Sequence, residues 1–229
     1  MNYAISACEI GMARIDENLK PGVSEYDLWA ELNDANNRLG GEWLETRLLS
    51  SGDRTNPWFQ EASDRLVRPG EIVSYDTDLI GPFGYCADLS RTIFCGPGRP
   101  TDEQRRLFRL SWEQIQHNFD ILKPGMSFKE ISEKAWKIPE SCNTLRYGSL
   151  FHGVGMCDEY PRIVHFDRFE ADGYDGHLEP GMTFCVESYI AEEGGRSGIK
   201  LEDQFLVTES GMEMLSHYPF DEALLPREV

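Results

Sequence analysis

The stretch SYDTDLIGPFGYCADLSRT, Ser74 to Thr92, sets three aspartates, Asp76, Asp78 and Asp88, among residues that otherwise read as two buried strands joined by the turn GPFG. Side chains alternate along a strand, so Asp76 and Asp78 are expected on one face, with Tyr75 and Thr77 on the other. Asp88, in the following strand, can return beside them. Carboxylates held about 3–5 Å apart in a dry interior raise one another's pKa strongly unless a cation lies between them. The segment therefore calls for a cation.

The rest of the chain supplies matching groups. LKPGVSEYDL (Leu19 to Leu28) is echoed by LKPGMSFKEI (Leu122 to Ile131), and VRPGEIVSYD (Val67 to Asp76) by LEPGMTFCVE (Leu178 to Glu187), at nearly equal offsets. The first pair reads as a turn and a helix N-capped by Ser24 or Ser127, the second as a turn leading into a strand that ends on an acid. Two such matches in the same order imply two similar halves, about residues 1–115 and 116–229, with Asp76 and Glu187 at equivalent positions. A pseudo-twofold fold would bring these carboxylates together. Glu187 in FCVESYI and Glu202 in GIKLEDQF form a second pair on adjacent strands, and LFHGVGM offers His152 from a glycine-flanked apolar strand that a ligand could approach closely. Oxygen ligands with one imidazole suit Mn, Fe, Co or Zn.

Helices are expected over 1–18, 24–39, 101–121 (opened by the capping box TDEQ) and 127–138. Strands are expected over 44–50, 71–78, 85–94, 149–155, 182–191 and 198–208. No linker divides the halves, so a single α+β domain over 1–229 is expected.

With 40% hydrophobic and 11% aromatic residues the 229-residue chain can build a large core. Forty acidic against 22 basic residues give a net charge of −18, which disfavours nucleic acid and anionic membranes as partners. No apolar run approaches the roughly 18 residues of a membrane span, and the first residues lack a signal-peptide pattern, so a cytoplasmic protein is expected. Six scattered cysteines without a C-x-x-C pair read as buried free thiols. Blander readings exist for single residues: Asp88 as a structural ion pair with Arg91, Glu202-Asp203 as solvated surface, His152 as a hydrogen-bonded core residue. Taken together with the repeat, the five groups outweigh them.

LKPGVSEYDL, RPGEIVSYD, GYCADLSRTIF, FHGVGM, LEPGMTFCVES and GIKLEDQFLVTESG resemble the creatinase/prolidase/methionine-aminopeptidase superfamily over nearly the whole chain. The resemblance implies the pita-bread fold, with a curved antiparallel sheet, helices on its outer face and a dinuclear metal centre. Carried over by motif, the ligands are Asp76, Asp88, His152, Glu187 and Glu202. Three departures stand out. The usual Asp-x-Gly is Asp76-Thr77-Asp78, which adds a sixth carboxylate, and the spacing from Asp76 to Asp88 is one residue longer than usual. The second histidine of the peptidases is replaced by Glu159, beside Asp158, and their upstream histidine is missing from SGDRTNPWFQ.

The extra aspartate and the lost histidines resemble the DddP-type dimethylsulfoniopropionate (DMSP) lyases, which cleave DMSP to dimethyl sulfide and acrylate. That resemblance implies two divalent ions, iron above Mn, Co or Zn, bound by Asp76, Asp78, Asp88, His152, Glu187 and Glu202. It also implies a small zwitterionic substrate, a homodimer and an N-terminal domain not seen in these residues. Asp158 is the expected general base, with Glu159 the alternative. Trp58, Phe59, Tyr147 and Tyr160 are the candidates to face the sulfonium, Tyr147 foremost because LRYGSLFHG brings it toward His152. An Xaa-Pro aminopeptidase or prolidase-like hydrolase is the rival reading, and a metal-free binding module on the same fold is the third.

Overall fold

A computed structural model describes residues 1–58 and 60–225; Phe59 therefore lies outside the described residues. The fold is α+β, built on one antiparallel sheet. Its strands are β2 (Leu49–Ser51), β3 (Ile72–Asp76), β6 (Ser90–Phe94), β7 (Ser149–Gly153), β8 (Arg162–Val164), β9 (Thr183–Ala191) and β10 (Gly198–Val207). They run in the order β2-β3-β6-β10-β9-β7-β8, with β11 (Met212–Met214) also paired to β10. A small second sheet holds β1 (Trp43–Leu44), β4 (Leu79–Ile80) and β5 (Cys86–Ala87).

Alternation along the strands decides what each face of the sheet carries. On β9 and β10, Phe184, Val186, Ile190, Ile199, Leu201, Phe205 and Val207 point to one core, where Leu107, Phe108 and Ile115 of α3 (Asp102–Asp120) cover them. Cys185, Glu187, Lys200 and Glu202 alternate with them and face the other way. A second core forms where α1 (Asn2–Asn18) and α2 (Glu25–Arg38) cover Val73, Tyr75 and Ile93. The central strands are thus buried on both faces, one by helices and one by the polar site.

The Pro-Gly repeats recur as matching hydrogen bonds. The Gly22 N–H donates to Val67 O at 2.8 Å, and the Gly125 N–H to Leu178 O at 2.7 Å. Gly70 donates to Cys95 O and Gly181 to Val207 O, both at 2.8 Å. All four glycines have left-handed φ, from 82° to 94°, which is why the turns need glycine. Ser24 closes a capping box with Asp27, Thr101 closes one with Gln104, and Ser127 caps α4 (Phe128–Lys134).

Several boundaries differ from the sequence expectation. The helix expected to reach 138 stops at Lys134, because Ile138 precedes a proline and the Trp136 N–H is taken by Asn118 Oδ1 at 2.9 Å. The strand expected over 44–50 splits into β1 and β2, since the Glu45 N–H turns aside to donate to Asp78 O at 3.0 Å. Strand 85–94 breaks at Asp88-Leu89 into β5 and β6. Five further elements lie outside the expected ranges: β4, α5 (Glu140–Asn143), β8, α6 (Phe166–Asp172) and β11. The cysteines are free as expected, but Cys157 is exposed rather than buried.

Candidate metal centre and active site

The strand register lays the carboxylates in a row. Asp76 lies opposite Ser90, Ser90 opposite Glu202, and Glu202 opposite Glu187, across β3, β6, β10 and β9. His152 of β7 faces Cys185 of β9, two residues along from Glu187. All of these side chains are buried. Like charges set directly opposite one another destabilise a sheet, so this row needs counter-charge.

Two positions for a cation can be traced. At the first, His152 Nε2 lies 2.9 Å from Glu202 Oε1, 3.7 Å from Asp88 Oδ2 and 3.8 Å from Glu187 Oε1. Glu187 Oε1 has no hydrogen-bond partner among the described residues. At the second, Asp76, Asp88 and Glu202 each offer an oxygen within 4.8 Å of the others. Ser90 Oγ sits 2.6 Å from Asp76 Oδ1 and 2.8 Å from Glu202 Oε2, its single proton shared between them. An orphaned buried carboxylate oxygen beside an imidazole is the signature of a missing ligand, and the donor set suits a first-row divalent metal.

Electrostatics agree. Burial pushes the carboxyls of Asp76, Asp88 and Glu187 up, and the charge of Glu202 adds to the effect at each. Burial takes Asp78 to about 8, with Asp76 as the next cause. Glu202 is the exception: burial opposes its charge, but Lys200 and His152 hold it below the usual carboxylate range. His152 is raised well above its ordinary value against the effect of burial, by Asp158 and Glu202. A cation in the row would offset the effect of burial on the raised carboxyls by favouring their charged forms.

Sequence reasoning missed Lys200. Its Nζ is fully buried, 3.1 Å from Asp76 Oδ2, 2.9 Å from Glu187 Oε2 and 2.6 Å from Glu202 Oε2. The signal was present in GIKLEDQF, where residues two apart on a strand share a face, so Lys200 had to point where Glu202 points.

Asp78 is not placed by strand alternation. β3 ends at Asp76, and Asp78 adopts a left-handed φ of 35°. Its N–H donates to Asp88 Oδ1 at 3.1 Å, and its carboxylate accepts from the Thr46 hydroxyl. The longer loop between Asp76 and Asp88 forms β4, a turn with Phe83 at φ 67°, and β5. Asp78 therefore stands at the rim of the row. Arg91 pairs with Asp203 at 2.7 Å, not with Asp88, and both Glu202 and Asp203 are buried.

Asp158 lies behind the imidazole, with Oδ1 3.5 Å from His152 Nδ1; its Oδ2 is buried and without a partner among the described residues. Gly153 permits this turn, because a Cβ there would meet Tyr160 O at 2.3 Å. That glycine serves the chain's own close approach, not a ligand's. The Tyr147 hydroxyl donates to Glu159 Oε1 at 2.8 Å, and the Tyr147 ring lies 5.3 Å from Lys200 Nζ. Trp58 and Tyr147 line a cavity of about 510 Å³ together with Tyr189 and Arg162. Asp158 and Glu159 line another of about 580 Å³, with Glu45, Trp43 and Phe83. Tyr160 joins neither; it is 66% exposed and stacks on Tyr174.

An antiparallel sheet that presents one histidine beside four buried carboxylates, Asp76, Asp88, Glu187 and Glu202, defines a candidate metal-binding scaffold. Metallopeptidase family M24 matches residues 1–209, and the chain belongs to that family. Among its relatives, it is 45% identical to dimethylsulfoniopropionate lyase DddP of Roseovarius nubinhibens, an alignment covering 99% of this chain and 52% of that protein. The DddP lyase of Roseobacter denitrificans is also 45% identical, over 98% of this chain and 52% of the relative. An Xaa-Pro dipeptidase of Lactobacillus delbrueckii is 32% identical over 80% of this chain and 47% of its own length. The chain thus spans about half the length of the curated relatives it matches. In three dimensions it resembles the X-Pro aminopeptidase of Thermotoga maritima, with a TM-score of 0.82 at 26% identity over 95% of this chain and 60% of that one. The prolidase of Pyrococcus furiosus gives 0.80 at 26% identity, over 94% and 62%. The fold is accordingly the pita-bread fold. No helix among the described residues is long and apolar enough to cross a membrane.

Proposed function

We propose that this chain is the catalytic part of a metal-dependent lyase that splits dimethylsulfoniopropionate into dimethyl sulfide and acrylate. The observation that carries the reading is Asp158: a buried carboxylate with an unshared oxygen, beside the metal-ligand histidine, in a site without the two histidines of the peptidases. Asp76, Asp88, His152, Glu187 and Glu202 are the metal ligands in this reading, with Asp78 a sixth carboxylate at the rim. Two divalent ions, iron by resemblance, would supply Lewis acidity toward the substrate carboxylate.

Asp158 Oδ2 takes the proton from the carbon next to that carboxylate, while Oδ1 remains against the imidazole. The electron pair of the broken C–H bond forms the C=C bond of acrylate, and the C–S pair leaves with sulfur as neutral dimethyl sulfide. Tyr147 and Trp58 present aromatic faces to the sulfonium, and the Tyr147–Glu159 hydrogen bond fixes the ring that does so. Tyr160 is too exposed to contribute to that pocket without movement. A soluble cytoplasmic homodimer completes the proposal.

The test is a side-by-side product assay with the metal-loaded chain, supplying DMSP in one arm and Xaa-Pro dipeptides in the other. Dimethyl sulfide and acrylate in equal amounts are expected. Dipeptide cleavage without dimethyl sulfide would replace the lyase by a peptidase.

A further inference from the structure

The two cavities beside the metal row meet at the Tyr147–Glu159 hydrogen bond, and they differ in charge. Tyr147 lines the cavity of about 510 Å³, which also carries Arg146 and Arg162. Glu159 lines the cavity of about 580 Å³, which carries Glu42, Glu45 and Asp158 and, among the described residues, no lysine or arginine. A cation approaching the row is opposed in the first and attracted in the second. Acidic residues alone would mark only a solvated surface. Here a second observation points to a ligand: the Asp158 side chain is 3% exposed, and its buried Oδ2 has no partner among the described residues.

The acidic cleft also offers what an onium group requires. A sulfonium or quaternary ammonium has no N–H or O–H to donate, so it is held by aromatic faces and diffuse negative charge instead of by directed hydrogen bonds. Trp43 and Phe83 bring large rings to the cleft that remain 57% and 78% exposed, and Met156 adds a polarizable sulfur. The backbone fixes this frame. Trp43 belongs to the small sheet of β1, β4 and β5, which the Cys86 N–H ties to the segment before Asp158 by donating to Gly155 O at 2.7 Å. The Glu45 N–H is tied to Asp78 O on the rim at 3.0 Å. Burial, then Asp158 and Glu159, push the Glu45 carboxyl upward, so the three carboxylates share one field.

We propose that this cleft is an onium-capture site: Glu45, Trp43 and Phe83 bind the positive head of the substrate on its way to the metal row, and so set a preference for sulfonium and quaternary ammonium carboxylates over neutral carboxylates of the same shape. The proposal rests on the lyase reading for the ligand's other end, the carboxylate, which belongs at the metal row. Asp158 lines the cleft and abuts His152, so it joins the captured head to the reacting site. Glu45 takes no proton and touches no reacting atom; it acts on affinity. Once the C–S bond breaks, the sulfur is uncharged, and the attraction that drew the substrate in no longer holds the product.

The test uses the metal-loaded full chain and two ligands of one shape, the trimethylammonium analogue of DMSP and its tert-butyl isostere, which differ only in the positive charge. Their dissociation constants are measured by calorimetry. The wild type is expected to prefer the ammonium ligand by about tenfold or more, with the preference shrinking as salt rises from about 0.05 to about 0.5 M. Glu45→Gln and Trp43→Leu should each bring the preference to within about threefold, and Glu45→Gln should also raise KM for DMSP with little change in kcat. Glu209→Gln removes the same charge from the turn between β10 and β11 and should keep the wild-type preference. Glu45 and Trp43 are both exposed, so these chains are expected to fold, which thermal melts check. Equal affinity for the two ligands in the wild type, or an unchanged preference in either folded cleft variant, overturns the proposal. The lyase reading fails separately: a preference for the ammonium ligand without dimethyl sulfide release supports the cleft and rejects that activity, whereas dimethyl sulfide release without the preference rejects the cleft alone.

Discussion

The two halves of the sheet solve the same problem differently. β9 and β10 run unbroken for 9 and 10 residues and carry Glu187, Lys200 and Glu202 on one continuous face. β3 and β6 are 5 residues each, and between them the chain leaves the sheet, makes Asp78 left-handed and builds a second small sheet. The second half therefore provides a rigid wall with its own internal cation. The first half provides an irregular rim, where a carboxylate is held by a hydroxyl and backbone instead of by register. Departures from regular strand geometry concentrate where new chemistry can be accommodated, because backbone hydrogen bonding there is satisfied by side chains instead of by a neighbouring strand.

The most disruptive way to break this division is to remove the residue both halves share. Glu202 gives one oxygen to the His152 position and the other to Lys200 and Ser90. Glu202→Ala is expected to empty the metal centre and to lower the rate by about 10³-fold or more, as measured by metal content and product release. Retained metal with full activity would show that the wall is dispensable. Next comes the proposed proton acceptor. Asp158→Asn keeps shape but not basicity, so a fall in kcat of about 10²–10⁴ with unchanged metal content is expected. Activity that persists in Asp158→Asn and disappears in Glu159→Gln would move the base by one residue.

The second half can also be tested at its outer edge, away from the metal ligands. His165 is buried, and that burial, with Arg146 nearby, lowers its pKa to about 4. Its Nε2 lies 3.1 Å from Tyr147 O, so a neutral imidazole helps to set the loop carrying that ring. A depressed folded pKa means that the unfolded chain takes up the proton first as pH falls. The stabilising contribution is then present above about 6.5 and lost as pH falls toward about 4. Comparing urea midpoints of the wild type and His165→Gln between those limits should give a steeper acid loss in the wild type, on the order of 2–3 kcal/mol. Parallel curves would mean that His165 titrates normally.

Much of the site was legible because it depends on register. Once Glu187 and Glu202 are placed on neighbouring buried strands, alternation puts both on one face, and the Pro-Gly repeats place Asp76 in the same row, with Ser90 between it and Glu202. Lys200 obeyed the same rule and was missed because a lysine on a buried strand is ordinarily read as surface. Asp78 comes to the edge of the row by a route alternation does not describe: β3 ends at Asp76, and no local signal marks an aspartate as left-handed. Tyr160 and Trp58 lie on irregular segments, where neither periodicity nor propensity fixes direction. Trp58 fell into a cavity beside Tyr147, whereas Tyr160 turned out to stack on Tyr174 at 5.9 Å.

Asp78 itself allows the finest test of the two halves. Asn keeps a side-chain oxygen to accept from Thr46 and tolerates left-handed φ, so Asp78→Asn removes one negative charge while leaving the rim's geometry in place. In the metal-free protein the loss of like-charge contact with Asp76 should raise stability at pH 9 by about 1 kcal/mol, read from the urea midpoint. In the metal-loaded protein the same substitution should lower the proposed lyase activity and leave metal content unchanged, because Asp78 stands at the rim and meets Asp88 through its backbone N–H, which Asn retains. If instead Asp78→Asn releases metal, the rim is part of the wall, and the two halves hold the ion jointly.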